Sequence, residues 1–169
     1  ILSEFGEDEA DAYEGLAGLY AQQQRYPELA GALEQRIALG AQDPDGDPQL
    51  IERQFQLAEV LRNHLGDAPR ALALYRAVIA QSPDHAGALG ALQQLQSDAA
   101  LGGEAAEVSA QAHAQRGDHA QLAAALGVLV EFERDPAKRV QVMQRLAELR
   151  RGQLNDTYGA FDAYVRALR

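Results

Sequence analysis

The feature that most constrains this chain is that it repeats itself. Residues 57–79 read LAEVLRNHLGDAPRALALYRAVI and residues 146–168 read LAELRRGQLNDTYGAFDAYVRAL, in register at a constant offset of 89. Leu57, Ala58, Glu59, Arg62, Leu65, Asp67, Ala71 and Tyr75 return as Leu146, Ala147, Glu148, Arg151, Leu154, Asp156, Ala160 and Tyr164. A second echo, at an offset of 93, pairs Ala17, Leu29, Ala30, Ala32 and Leu33 with Ala110, Leu122, Ala123, Ala125 and Leu126. The stretch HLGDAPRALALYRAVIAQSPDH, with its histidines, aspartates and arginine, could pass for a catalytic loop. A catalytic loop has no reason to recur, whereas a unit that cannot bury its apolar face alone must be followed by another.

The repeated unit is helical. Ala, Leu, Gln, Glu and Arg dominate, and β-branched residues are sparse, so the fold class is all-α. Leu50, Ile51, Leu57, Ala58, Leu61 and Leu65 form one apolar stripe about 120° wide, as a 3.6-residue period gives. The pattern predicts nine helices, over 8–23, 27–40, 48–64, 68–81, 84–97, 103–116, 119–132, 136–151 and 155–168, arranged as long repeats 9–97 and 103–169 within one segment 1–169. Asp47-Pro48 and Asp135-Pro136 are predicted to open helices, the aspartate capping and the proline at the first position. Gly66 should end a helix in the left-handed conformation, with Asn155 taking its place in the second copy. Asp67 and Asp118 should cap the helices after their turns, and Ser82-Pro83-Asp84 should end one helix and cap the next.

Several function classes find no support. There is no cysteine, so no disulfide and no thiolate metal site, a composition compatible with any compartment. No apolar run is long enough to span a bilayer. The opening ILSEFGEDEA has neither the basic nor the apolar part of a signal peptide, and its lack of Met is what an excised or processed segment of a longer array would show. A net charge of −10 argues against nucleic acid as partner. His113 and His119 flank a turn but lack a third ligand, and His64 and His85 read as surface residues. DPDGD at 43–47 imitates a calcium loop, but Pro48 and Gln54 stand where glycine and glutamate are needed. RGD at 116–118 occupies a turn slot. No phosphate loop, Gly-x-Ser-x-Gly or His-Glu-x-x-His occurs. The expectation is no catalytic residue, no cofactor and no metal. Residues 1–20 carry six acids and no base, while 134–169 carry eight bases and four acids. The two ends are either separately solvated or built to meet neighbours of opposite charge.

Leu57-Ala58, Leu61, Gly66, Ala71, Tyr75 and Pro83, with Tyr13, Leu16-Ala17, Tyr20, Tyr26, Ala30 and Leu33 in the first hairpin, resemble the tetratricopeptide-repeat superfamily. The paired long unit is similar to the helical arrays of large bacterial repeat proteins. Helix 84–97 stands outside the pattern, and Arg150 falls where Leu61 sits in the stripe. The resemblance implies an α-solenoid of stacked antiparallel hairpins whose first helices line a concave groove. That groove would present Asp11, Glu14, Glu52, Phe55, Glu59, Arg62, Gln141, Gln144, Glu148 and Arg151. Phe55 lies about 40° beyond Ile51 on the helical wheel, and is either the rim of the core or a contact anchor. The function implied is a non-catalytic scaffold or adaptor that binds a protein or peptide, basic or mixed in charge. The alternative is a structural spacer or self-assembly segment, with weak head-to-tail self-association as one consequence.

Overall fold

Four short turns set the architecture, and each holds one residue with positive φ. In the computed structural model, which describes residues 2–42 and 47–167, these are Gln24 at +56°, Gly66 at +68°, Gly117 at +71° and Asn155 at +51°. Gly66 and Asn155 are a repeat pair at offset 89, and Gln24 and Gly117 are a pair at offset 93. One left-handed residue lets the chain reverse with few residues between helices. A Cβ built on Gly66 would meet nothing within 4 Å, so a side chain there is penalised by the backbone alone. Gly66→Val is expected to destabilise by about 1–3 kcal/mol and Gly66→Asn by much less. Gln24→Gly should instead raise the melting temperature, by relieving about 1 kcal/mol of left-handed strain. Equal thermal shifts for the two Gly66 variants, or a loss on Gln24→Gly, would contradict this account of the turns.

Among the described residues nine helices follow: α1 Leu2–Gln22, α2 Tyr26–Gly40, α3 Leu50–Asn63, α4 Ala68–Gln81, α5 Ala86–Leu95, α6 Gly102–Arg116, α7 His119–Phe132, α8 Pro136–Gly152 and α9 Thr157–Ala167. The fold is all-α, as the repeat predicts. The first helix begins at Leu2, not at residue 8, and three of the expected helix caps differ. Asp47-Pro48 does not open α3, because the Asp47 carboxylate accepts from the Gln49 amide at 2.9 Å and is held by two arginines, which leaves Pro48 in a turn. Asp84 does not cap α5; His85 does, its Nδ1 accepting from the Ala88 amide at 3.1 Å. Asp118 stands at the cap of α7 but turns its carboxylate to Arg116, at 3.0 Å, instead of to the helix amides. Asp67 and Asp135 cap as expected. Of the calcium-loop residues, Asp43 and Asp45 lie outside the described residues.

The chain divides into two compact units, Ile1–Ser82 and Pro83–Arg169. In the first, hairpins α1–α2 and α3–α4 stack through α2 on α3. Glu14 of α1 meets Arg53 of α3 at 2.9 Å, and Glu34 of α2 meets Arg70 of α4 at 2.5 Å. First helices therefore lie beside first helices and second beside second. The core is Leu29, Ala30 and Leu33 with Leu57, Ala58, Leu61, Ala71, Leu72, Tyr75 and Val78. In the second unit α5 packs on α6, and hairpins α6–α7 and α8–α9 stack through α7 on α8. Its core joins Ala110, Leu122, Ala123, Ala125, Leu126 and Leu146, flanked by Val142, Leu149 and Leu154. Ala58, Ala71, Ala147 and Ala160, the repeated alanines, are all at or below 3% exposure, where a larger side chain would hold the helices apart. Gly102 serves the same end: a Cβ there would lie 2.6 Å from the Gln96 carbonyl oxygen and 2.4 Å from the ring of Phe132.

Candidate partner-binding surface

In the first unit the sequence-predicted residues are drawn into two structural clusters. Phe55 is half-buried and sits with its ring centroid 6.2 Å from that of Tyr75. Tyr75 is fully buried and donates its hydroxyl to Glu59. Arg62 reaches 5.8 Å from the Tyr75 ring centroid and pairs with Glu59 at 3.2 Å. Burial, reinforced by the neighbouring Glu59 carboxylate, raises the Tyr75 phenol well above its usual range, so it stays a donor. Phe55, Glu59 and Arg62 thus form a cage around a core tyrosine. Glu14 belongs to the second cluster, where Arg53 joins it at 2.9 Å and Asp47 at 2.5 Å, and Arg36 meets Asp47 at 3.0 Å. Burial pushes the Asp47 carboxyl up, but the Gln49 amide and the two guanidiniums outweigh it and hold it below its ordinary value. Asp11 and Glu52 are exposed.

In the second unit Gln141, Gln144, Glu148 and Arg151 are the repeat positions of Glu52, Phe55, Glu59 and Arg62, and all four are exposed along α8. Beside them lies an open cleft of about 480 Å³ between α6 and α8. Its floor is Ala110 with Leu126 and Leu129 of α7, and its rim is Glu107, Gln111, Gln115 and Arg145. The repeat explains why the cleft is open here. Glu107 stands where Glu14 stands in the first unit, but Arg36 is replaced by Leu129 and Arg53 by Val142. The first unit fills the space between its first helices with an ion-paired knot, whereas in the second Leu129 lines the open cleft and Val142 packs against the core.

Sequence reasoning passed over Arg53, whose signal was its place about 40° beyond Leu57, at the edge of the apolar stripe opposite Phe55. It also passed over the rim residues of α6, which carry no motif and matter only because α7 and α8 complete the cleft. Ser109, His113 and Asp118 lie near one another in sequence, but the Ser109 hydroxyl donates to the Ala105 carbonyl at 2.8 Å and accepts from Gln96 at 3.0 Å. His113 approaches Asp118 at 3.5 Å. No relay from serine to histidine is formed. Among the described residues no three His, Asp or Glu side chains converge as metal ligands, and no helix is long and apolar enough to cross a membrane.

No protein-family model and no curated protein sequence matches the chain. Solved structures that overlay on it include MamA, residues 41 to the end, from Desulfovibrio magneticus RS-1, at 17% identity over 95% of this chain and 94% of that one, with a TM-score of 0.40. A second MamA structure overlays at 13% identity over 96% and 91%, with a TM-score of 0.42. BtubC (BKLC) from P. vanneervenii overlays at 18% identity, over 95% of this chain and 62% of that one, with a TM-score of 0.39. Overlaps this loose bring neither an activity nor a partner to the chain.

Proposed function

We propose that the chain is a non-catalytic protein-interaction segment that takes an extended peptide or a partner helix in the cleft between α6 and α8. The observation that carries this reading is the exchange of an ion-paired knot for an open aliphatic floor at matching repeat positions. A concave surface built from first helices suits an elongated ligand. Leu126 and Leu129 offer one apolar anchor site, and a few buried contacts dominate such interfaces. The rim carries Glu107 and Arg145, and Glu148 and Arg151 stand exposed farther along α8, so a ligand of mixed or basic charge fits, its charges setting register and association rate more than affinity.

The test is to capture binding proteins from the source cell with the chain as bait, and then to map amide hydrogen exchange with a captured partner bound. Protection concentrated on α6 and α8 of the second unit is the expected result. Protection confined to the outer faces of α7 and α9 would overturn the reading.

A further inference from the structure

We infer that the chain associates head to tail with a second copy of itself, the outer face of α9 in one molecule packing on the outer face of α1 in the next. This rests on surfaces separate from the cleft. The Leu-Ala position is buried in the other first helices: Leu57 in α3 is 4% exposed, Leu146 in α8 is 6%, and the α6 counterpart Ser109 is 2%. In α1 the same position is Leu16, at 38%, with Leu19 beside it one turn on at 53%. The second helices show the converse. Leu72 in α4 is 1% exposed, but its repeat partner Phe161 in α9 is 67% exposed, with Tyr158 at 86%. Leu16, Leu19 and Phe161 are thus left uncovered at positions that other repeats bury or half-bury, with Tyr158 exposed one turn before Phe161.

The occupant that fits is a second copy, for two reasons. The packing required, a second helix against a first, is the one α2 makes with α3 and α7 makes with α8. The charges are also complementary. Glu9 and Asp11 are exposed on α1, where residues 1–20 hold no base. Arg134, Arg139 and Arg166 surround an open cavity of about 380 Å³ where α8 begins and α9 ends, and among the described residues none of the three forms an ion pair. An interface of this kind uses different surfaces on the two partners, so it adds molecules in a row instead of closing a symmetric pair. Opposite charges brought together at a partly wet rim weaken as salt is added.

The experiment is sedimentation velocity on the whole chain, from micromolar to millimolar protein, at low and high salt, with Leu19→Asp as the head block and Phe161→Asp as the tail block. Both sites are exposed, and unchanged melting curves verify that the variants fold. Wild type should form dimers and longer species with rising concentration, less so in high salt. Each variant alone should associate at least about tenfold more weakly. An equimolar mixture of the two should regain a one-to-one dimer, because one variant keeps a free tail and the other a free head. A wild type that stays monomeric at millimolar concentration in low salt would overturn the inference and leave these faces to a different partner. Variants that associate as wild type does, or a mixture that does not recover, would overturn it as well.

Discussion

Replacing Arg53 by alanine is expected to cost about 3 kcal/mol of stability, the lower part of the range for removing one member of a buried ion pair. Arg53 is only 6% exposed and uses its whole guanidinium: Nε to Glu14 at 2.9 Å, Nη1 to Asp47 and Nη2 to Gln49 at 2.9 Å. Without it, the buried Asp47 carboxylate keeps the Gln49 amide and, of its two cations, only Arg36. The loss is greater than the intrinsic worth of the pair, because an under-compensated charge stays out of water. Arg53→Lys should recover only part of the loss, since an ammonium cannot span three acceptors as a planar fork does. A pH signature accompanies the effect. The Asp47 carboxyl is held below its ordinary value in the folded state, so its contribution is present above the unfolded value of 3.8 and is lost as pH falls through the lower folded value. Urea denaturation at neutral pH and below pH 4 should show wild type losing this contribution in acid, and Arg53→Ala losing less. Equal acid sensitivity in the two proteins would contradict the assignment of Asp47 and Arg53 to one network.

The second large effect is expected at Tyr75. Tyr75→Ala should destabilise by about 3–5 kcal/mol, the usual consequence of emptying a fully buried aromatic site. Tyr75→Phe should cost about 1 kcal/mol, because it removes one hydrogen bond while Glu59 keeps Arg62. Chemical denaturation of the two variants separates the terms. The same series bears on Phe55, which leans on Tyr75: if Phe55→Ala lowers stability in proportion to its half-burial and leaves partner binding unchanged, its place is the rim of the core.

Much of the fold is legible in the sequence, since period and punctuation both survive in the repeat. Gly66 and Asn155 announce a left-handed turn by residue type. Gln24 does not, because glutamine is no turn former, yet its alignment with Gly117 at offset 93 carries the same information. Asp47 could not be read as an ion-pair partner from the local sequence, where Asp-Pro signals a helix start; the arginines that claim it come from α2 and α3. His85 looks like a surface histidine because its capping role depends on the turn that precedes α5. The candidate site was legible on one side only. The exposed row on α8 follows from helical period and repeat offset. The floor supplied by α7 and the rim supplied by α6 depend on three helices meeting, and no local pattern encodes that.

The most direct test of the central claim is to fill the cleft without touching the core. Ala114 lines it from the exposed side of α6, so Ala114→Trp should block the floor and leave the melting curve unchanged. Glu131→Lys, on the exposed side of α7, is the control. A fluorescence-anisotropy titration of a captured partner segment should show the Ala114→Trp affinity reduced at least about tenfold and the Glu131→Lys affinity close to wild type. Undiminished binding to Ala114→Trp, together with loss in Glu131→Lys, would contradict the account.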